Sequence, residues 1–138
     1  MTDTYEGWSN RETWCAQLWM TNEEGIYEEV REQARELLIE AIGDLAPDEP
    51  GEQAGSMLDA KNAAAYELAT YLRDMWEGWA ADIIDDPHIH KGYASMVLDV
   101  GSLYRVDWKE IAESWIVDAR EELETDISRE MARQEAGR

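Results

Sequence analysis

The 138-residue sequence contains one cysteine, Cys15, so no intramolecular disulfide can form. An extracellular disulfide-stapled scaffold is thereby excluded. Phenylalanine is absent, and the aromatic residues are seven Trp and six Tyr. Those rings have polar edges that want a partner when buried, which favours packed helices with wet margins. Lysine occurs only at Lys61, Lys91 and Lys109, and 12 basic residues stand against 32 acidic ones, for a formal charge of −20. Such a surface repels nucleic acid and anionic lipid and attracts basic proteins, so direct nucleic-acid binding is not expected. No apolar run approaches the ~20 residues of a membrane span. Residues 1–6 lack the basic and apolar regions of a secretion signal, and the expectation is a soluble, cytoplasmic protein.

What remains is an apolar content of 44%, close to a globular norm, in a chain the size of one domain. At this length a single fold buries roughly 70% of the surface its unfolded chain exposes.

The hydrophobic pattern is helical nearly throughout. Ser9-Asn10-Arg11-Glu12 matches a capping box, with Trp8 before it and Trp14 after it as a staple, and a short first helix follows to about Met20 with Trp14, Leu18 and Trp19 on one side. Thr21 to Glu24 supply a second cap. Tyr27, Val30, Ala34, Leu37, Leu38 and Ala41 then recur at helical spacing until Gly43. Residues 44–56 hold Pro47, Pro50, Gly51 and Gly55 and read as a solvated loop. Ala65, Leu68, Leu72, Met75, Trp76, Trp79 and Ile83 mark a long central helix over 65–83, stopped before Pro87. Residues 93–100 read as a short helix or, less readily, a strand. Asp107 caps a last helix built on Trp108, Ile111, Ala112, Trp115, Ile116, Ala119 and Leu123, and residues 130–138 read as a frayed polar tail. The fold class expected is all-α, a single-domain bundle of four or five helices.

The most informative polar pattern is Glu28, Glu32, Glu36 and Glu40, spaced by four, which puts their carboxylates roughly 6 Å apart along one ridge. The ridge lies opposite the apolar face. Like charges so spaced cost about 0.2–0.5 kcal/mol per pair in an isolated helix, with Arg31 and Arg35 flanking the ridge to offset part of that. The last helix repeats the theme less regularly in Glu110, Glu113, Glu121 and Glu124, interrupted by Val117.

Two readings of these stripes compete. Ordered carboxylates can imitate a phosphate backbone and occupy the groove of a basic nucleic-acid-binding protein. An acidic, lysine-poor surface is also what solubility or a salt-rich cytoplasm calls for.

Asp85, Asp86, His88 and His90 offer metal-type ligands, but their spacing is that of no recognised site. Cys15 has no nearby base to make it a nucleophile and reads as a small buried hydrophobe. Walker, dinucleotide and zinc-protease motifs are missing, so neither catalysis nor a cofactor is expected.

The segment Gly7-Trp8-Ser9-Asn10-Arg11-Glu12-Thr13-Trp14, with Leu18-Trp19 and Asn22-Glu23-Glu24, resembles the N-terminal signature of a family of small uncharacterised proteins from phages, plasmids and haloarchaea. Val106-Asp107-Trp108-Lys109-Glu110-Ile111-Ala112 is similar to that family's closing helix. The resemblance implies company among mobile elements and no catalytic residue. Joined to the acidic ridge, it gives the leading expectation of an inhibitor of host defence. Such a protein would be a decoy for a restriction or CRISPR effector.

Overall fold

A computed structural model describes residues 4–45, 55–85 and 91–137. Five α-helices run through them: α1 (Arg11–Asn22), α2 (Glu24–Gly43), α3 (Met57–Asp85), α4 (Lys91–Val100) and α5 (Trp108–Ala136), with one 3-10 turn at Leu103–Arg105. There is no strand among the described residues, and the all-α expectation holds. α3 is central, packing on α2, α4 and α5, while α5 also lies along α2, and α1 closes one end against α2 and α4.

The core explains the helix boundaries. Leu68, Leu72 and Trp76 of α3 are fully buried, spaced by four, and meet Val30, Ala34 and Leu38 of α2 and Ile111, Ala112 and Ile116 of α5 in one apolar cluster. Burying side chains of this size contributes about 1.5–3 kcal/mol each. The inner face of α2 is led by Ile26, with Tyr27 displaced to the margin, where its ring lies 5.5 Å from that of Trp115. In α1 the buried residues are Thr13, Cys15, Ala16 and Met20, and Leu18 turns outward. The expected apolar side of α1 is therefore rotated. A small inner face lets this short helix sit close against its neighbours.

The caps differ from the expected ones in an instructive way. Asn10, not Ser9, caps α1, accepting from the Thr13 amide at 2.8 Å. Ser9 instead donates its amide and its hydroxyl to the two carboxylate oxygens of Glu110, each at 3.0 Å. Tyr5 to Trp8 form a tight turn paired at both ends, with φ positive at Glu6 and Gly7. It brings the ring of Tyr5 to 5.0 Å from Trp14, the position expected of Trp8. A reciprocal capping box does occur, but at the start of α3, where Ser56 and Asp59 satisfy each other's amides at 3.4 and 3.1 Å. That lengthens α3 by two turns beyond the expected start. Glu23, extended at φ −94° and ψ 109°, separates α1 from α2 without a side-chain cap.

Residues 93–100 are helical, and Gly101 ends α4 at φ +82°, a conformation open to glycine at no steric cost. Asp107 caps α5 as expected, accepting from the Glu110 amide at 3.0 Å. α5 continues helically to Ala136 with residues 124–137 exposed, where the sequence pattern suggests fraying.

Thr13 holds the two ends of the chain together. Its buried hydroxyl donates to Asn10 at 2.7 Å and accepts the Asp107 amide at 2.8 Å, and Asn10 also donates to the Arg105 carbonyl at 2.7 Å. Thr13→Val preserves side-chain shape but strands the Asp107 N–H. We expect a loss of about 1–3 kcal/mol of stability in urea unfolding, the usual cost of such an orphan. A loss indistinguishable from zero would show that the junction follows from packing and does not support it.

Candidate partner-binding surface

The α2 ridge forms because Ile26, Val30, Ala34 and Leu38 turn inward, leaving residues two further along to face solvent. Glu28, Glu32, Glu36 and Glu40 are all exposed. The flanking arginines shield them only in part. Arg31 reaches Glu28 only at 3.6 Å and Glu122 of α5 at 2.8 Å, while Arg35 meets Asp126 at 2.5 Å and Glu122 at 3.7 Å. Both guanidinium groups are drawn across to clamp α2 to α5. Their hydrogen bonds raise the pKa of Arg31 and lower that of Asp126. Glu32, Glu36 and Glu40 make no ion pair among the described residues.

The α5 stripe fares differently. Glu110 accepts from the amide and hydroxyl of Ser9 and so belongs to the helix junction. Glu113 lies 3.9 Å from Lys109, and Glu124 is 3.0 Å from Arg120. Glu121 borders the open α2–α5 groove near Arg31 and Arg35. The eight expected contacts thus divide into one ridge of largely unpaired carboxylates and a second row that is mostly neutralised.

At its far end the ridge runs into a hollow of about 290 Å³ between the end of α2 and the start of α3. Leu37, Ala41, Ala60 and Ala64 give it apolar walls, and Glu40, Asp44 and Glu67 border it. The sequence pattern gave no sign of this hollow. It arises because residues 60, 63 and 64 of α3 are all alanine where α2 passes over them.

Asp99 of α4 gathers the donors of α1: Trp19 Nε1 at 2.9 Å, Cys15 Sγ at 3.2 Å and Arg11 at 3.3 Å. The indole and thiol bonds, with the nearby Arg11 charge, hold the Asp99 carboxyl below the usual range. Burial, helped by the bond to Asp99, pushes the Cys15 thiol up to about 11. A thiol so placed is inert, which agrees with the buried-hydrophobe expectation.

Asp86, His88 and His90 lie outside the described residues, as does the side chain of Asp85. Among the described residues no cluster of potential metal ligands occurs, and no helix is long and apolar enough to cross a membrane.

Residues 1–126 match DUF7249, a family of unknown function. The chain belongs to that family. No curated protein and no solved structure matches it. The DUF7249 match takes in α1 to α4 and the packed part of α5, and ends one residue before Ile127, in the exposed part of that helix.

Two outcomes test this electrostatic picture. Cys15 should resist a disulfide reagent at mildly alkaline pH in the folded protein and react fully once unfolded by denaturant; rapid labelling of the native protein would contradict the burial. Because the Asp99 pKa is depressed on folding, its stabilisation is present above the unfolded carboxylate pKa of about 3.9 and disappears as pH falls through its lower folded value. The melting temperature of Asp99→Asn should therefore fall less steeply with acid than that of the native sequence.

Proposed function

We propose that this DUF7249 protein is a non-catalytic inhibitor encoded by a mobile element, acting as an acidic decoy for a basic nucleic-acid-binding defence protein of the host. A restriction or CRISPR effector in the host cytoplasm is the kind of target meant. The observation that carries the reading is the α2 ridge, four exposed glutamates in line whose neighbouring arginines are held more closely by Glu122 and Asp126 of α5 than by the ridge. Leaving like charges adjacent costs about 0.2–0.5 kcal/mol per pair. The ridge is thus maintained against helix stability.

Its charge spacing of roughly 6 Å along the helix axis compares with one charge per 3.4 Å of axis for each strand of duplex DNA, so the ridge has a lower linear charge density than a DNA strand. Binding to a basic groove should weaken with salt, with a shallower slope than DNA shows for the same protein. Glu32, Glu36 and Glu40 would make the first contacts, joined by Glu28 at the near end and Glu121 across the groove.

The alternative, an interaction or structural protein whose acidity serves solubility or salt tolerance, is favoured by the fate of the α5 row, where three of four glutamates are engaged within the fold. Reversal of Glu28, Glu32, Glu36 and Glu40 to Lys separates the two, since Glu and Lys have similar helix propensities. In pull-downs from host lysate, the native protein should capture a DNA-binding protein that is released by salt and by competing duplex DNA. The reversed ridge should lose it, while reversal of Asp74, Glu77 and Asp82 on α3, three charge reversals away from the ridge, should not. Equal capture by both variants would sink the decoy reading.

A further inference from the structure

We propose that the hollow at the end of the α2 ridge is a socket for a single cationic side chain, arginine or lysine, presented by the basic partner. This rests on the decoy reading for the source of the side chain, but the site can be tested without any partner. Its size comes first. At about 290 Å³ it lies at the lower limit of small-ligand sites, which run from about 300 to 1,000 Å³, and suits one long side chain.

Its walls and rim match the two parts of such a chain. Leu37, Ala41, Ala60 and Ala64 offer an apolar lining for a methylene stem, as long basic side chains prefer. Glu40, Asp44 and Glu67 stand at the border to receive the charged head, and none of these three side chains has a hydrogen-bond or ion-pair partner among the described residues.

Helix electrostatics point the same way. Glu40 and Asp44 sit at the C-terminal end of α2, whose last turn carries no basic residue. The helix dipole already concentrates negative charge there, and these two acids add to it. The positive end facing the hollow, the start of α3, is covered by Asp59 in its box with Ser56. A bound cation would relieve an accumulation of negative charge that the described residues leave uncompensated. The ridge then has a direction: Glu28 to Glu36 guide a basic surface, and the hollow at Glu40 captures one of its side chains.

The probe is n-butylguanidinium, with n-butylurea as its uncharged isostere, titrated into the full chain carrying labelled methyl groups. Shifts confined to the methyls of Leu37, Ala41, Ala60, Ala63 and Ala64 are expected, with a Kd of roughly millimolar for so small a ligand. The urea should bind at least about tenfold more weakly, the difference expected for a lost charge-assisted hydrogen bond. Ala63→Leu should fill the hollow and abolish the shifts, and Glu40→Gln with Glu67→Gln should weaken binding comparably. All three positions border the surface, and unchanged melting temperatures would show that the fold is kept.

Equal affinity for the urea would overturn the cationic assignment, and no shifts at these methyls would overturn the site itself. If the guanidinium binds but reversal of the ridge leaves partner capture unchanged, the decoy reading fails and the socket stands. If capture by the native ridge survives Ala63→Leu undiminished, the partner does not use the socket, and that part of the proposal is wrong.

Discussion

The bonds made by Thr13 fix the arrangement of the remaining helices. A hydroxyl with no exposed surface accepts the amide at the start of α5 and donates to the residue that caps α1. Two helix starts separated by 94 residues are thereby held at one point. The start of a helix leaves amides without intrahelical partners, and burying one unsatisfied costs about 1–3 kcal/mol. Here each start satisfies the other. Ser9 and Glu110 extend the junction, as does Glu12, whose carboxylate lies 3.7 Å from Arg105. With its origin fixed, α5 lies along α2 and α3, and the Arg31 and Arg35 clamps set its course.

The same junction explains a feature of the sequence. The two stretches that carry the resemblance, residues 7–14 and 106–112, are distant in the chain and meet in the fold through these bonds. They form one structural device. Ser9, Asn10, Thr13, Asp107 and Glu110 act in it as caps and cross-ties. The two stretches together close the fold.

Much of the architecture is legible locally because it depends on local periodicity. The four-residue recurrence of Val30, Ala34 and Leu38, or of Leu68, Leu72 and Trp76, fixes a helix and its buried face with no knowledge of its neighbours. Caps are less legible, since Ser9-Asn10-Arg11-Glu12 fits two registers and only Glu110, across the fold, decides that Ser9 turns away. The arginines show the same limit. On the helix, Arg31 and Arg35 read as partners of the glutamate ridge, yet in space Glu122 and Asp126 hold them more closely. The hollow was illegible for a further reason: alanines at 60, 63 and 64 look like ordinary helix residues until another helix crosses above them.

A net charge of −20 says little until the carboxylates are sorted by what they touch. Asp59, Asp107, Asp99, Glu110, Glu122 and Asp126 are structural, each bound to a cap amide, a hydroxyl or a cation. Solubility alone would be served by acids at helix starts, where the dipole favours them by about 0.3–1 kcal/mol. Glu40 and Asp44 stand at the opposite end. Acids elsewhere in the chain share that disfavoured position: Asp99 does so near the end of α4, but three donors compensate it. Asp82 near the end of α3 has no such compensation among the described residues, so placement against the dipole does not by itself distinguish function from mere abundance. What sets the end of α2 apart is that its carboxylates, unpaired among the described residues, border an apolar hollow. Solubility alone does not call for carboxylates set around an apolar hollow, whereas a surface shaped to hold a cation with a hydrocarbon stem uses both.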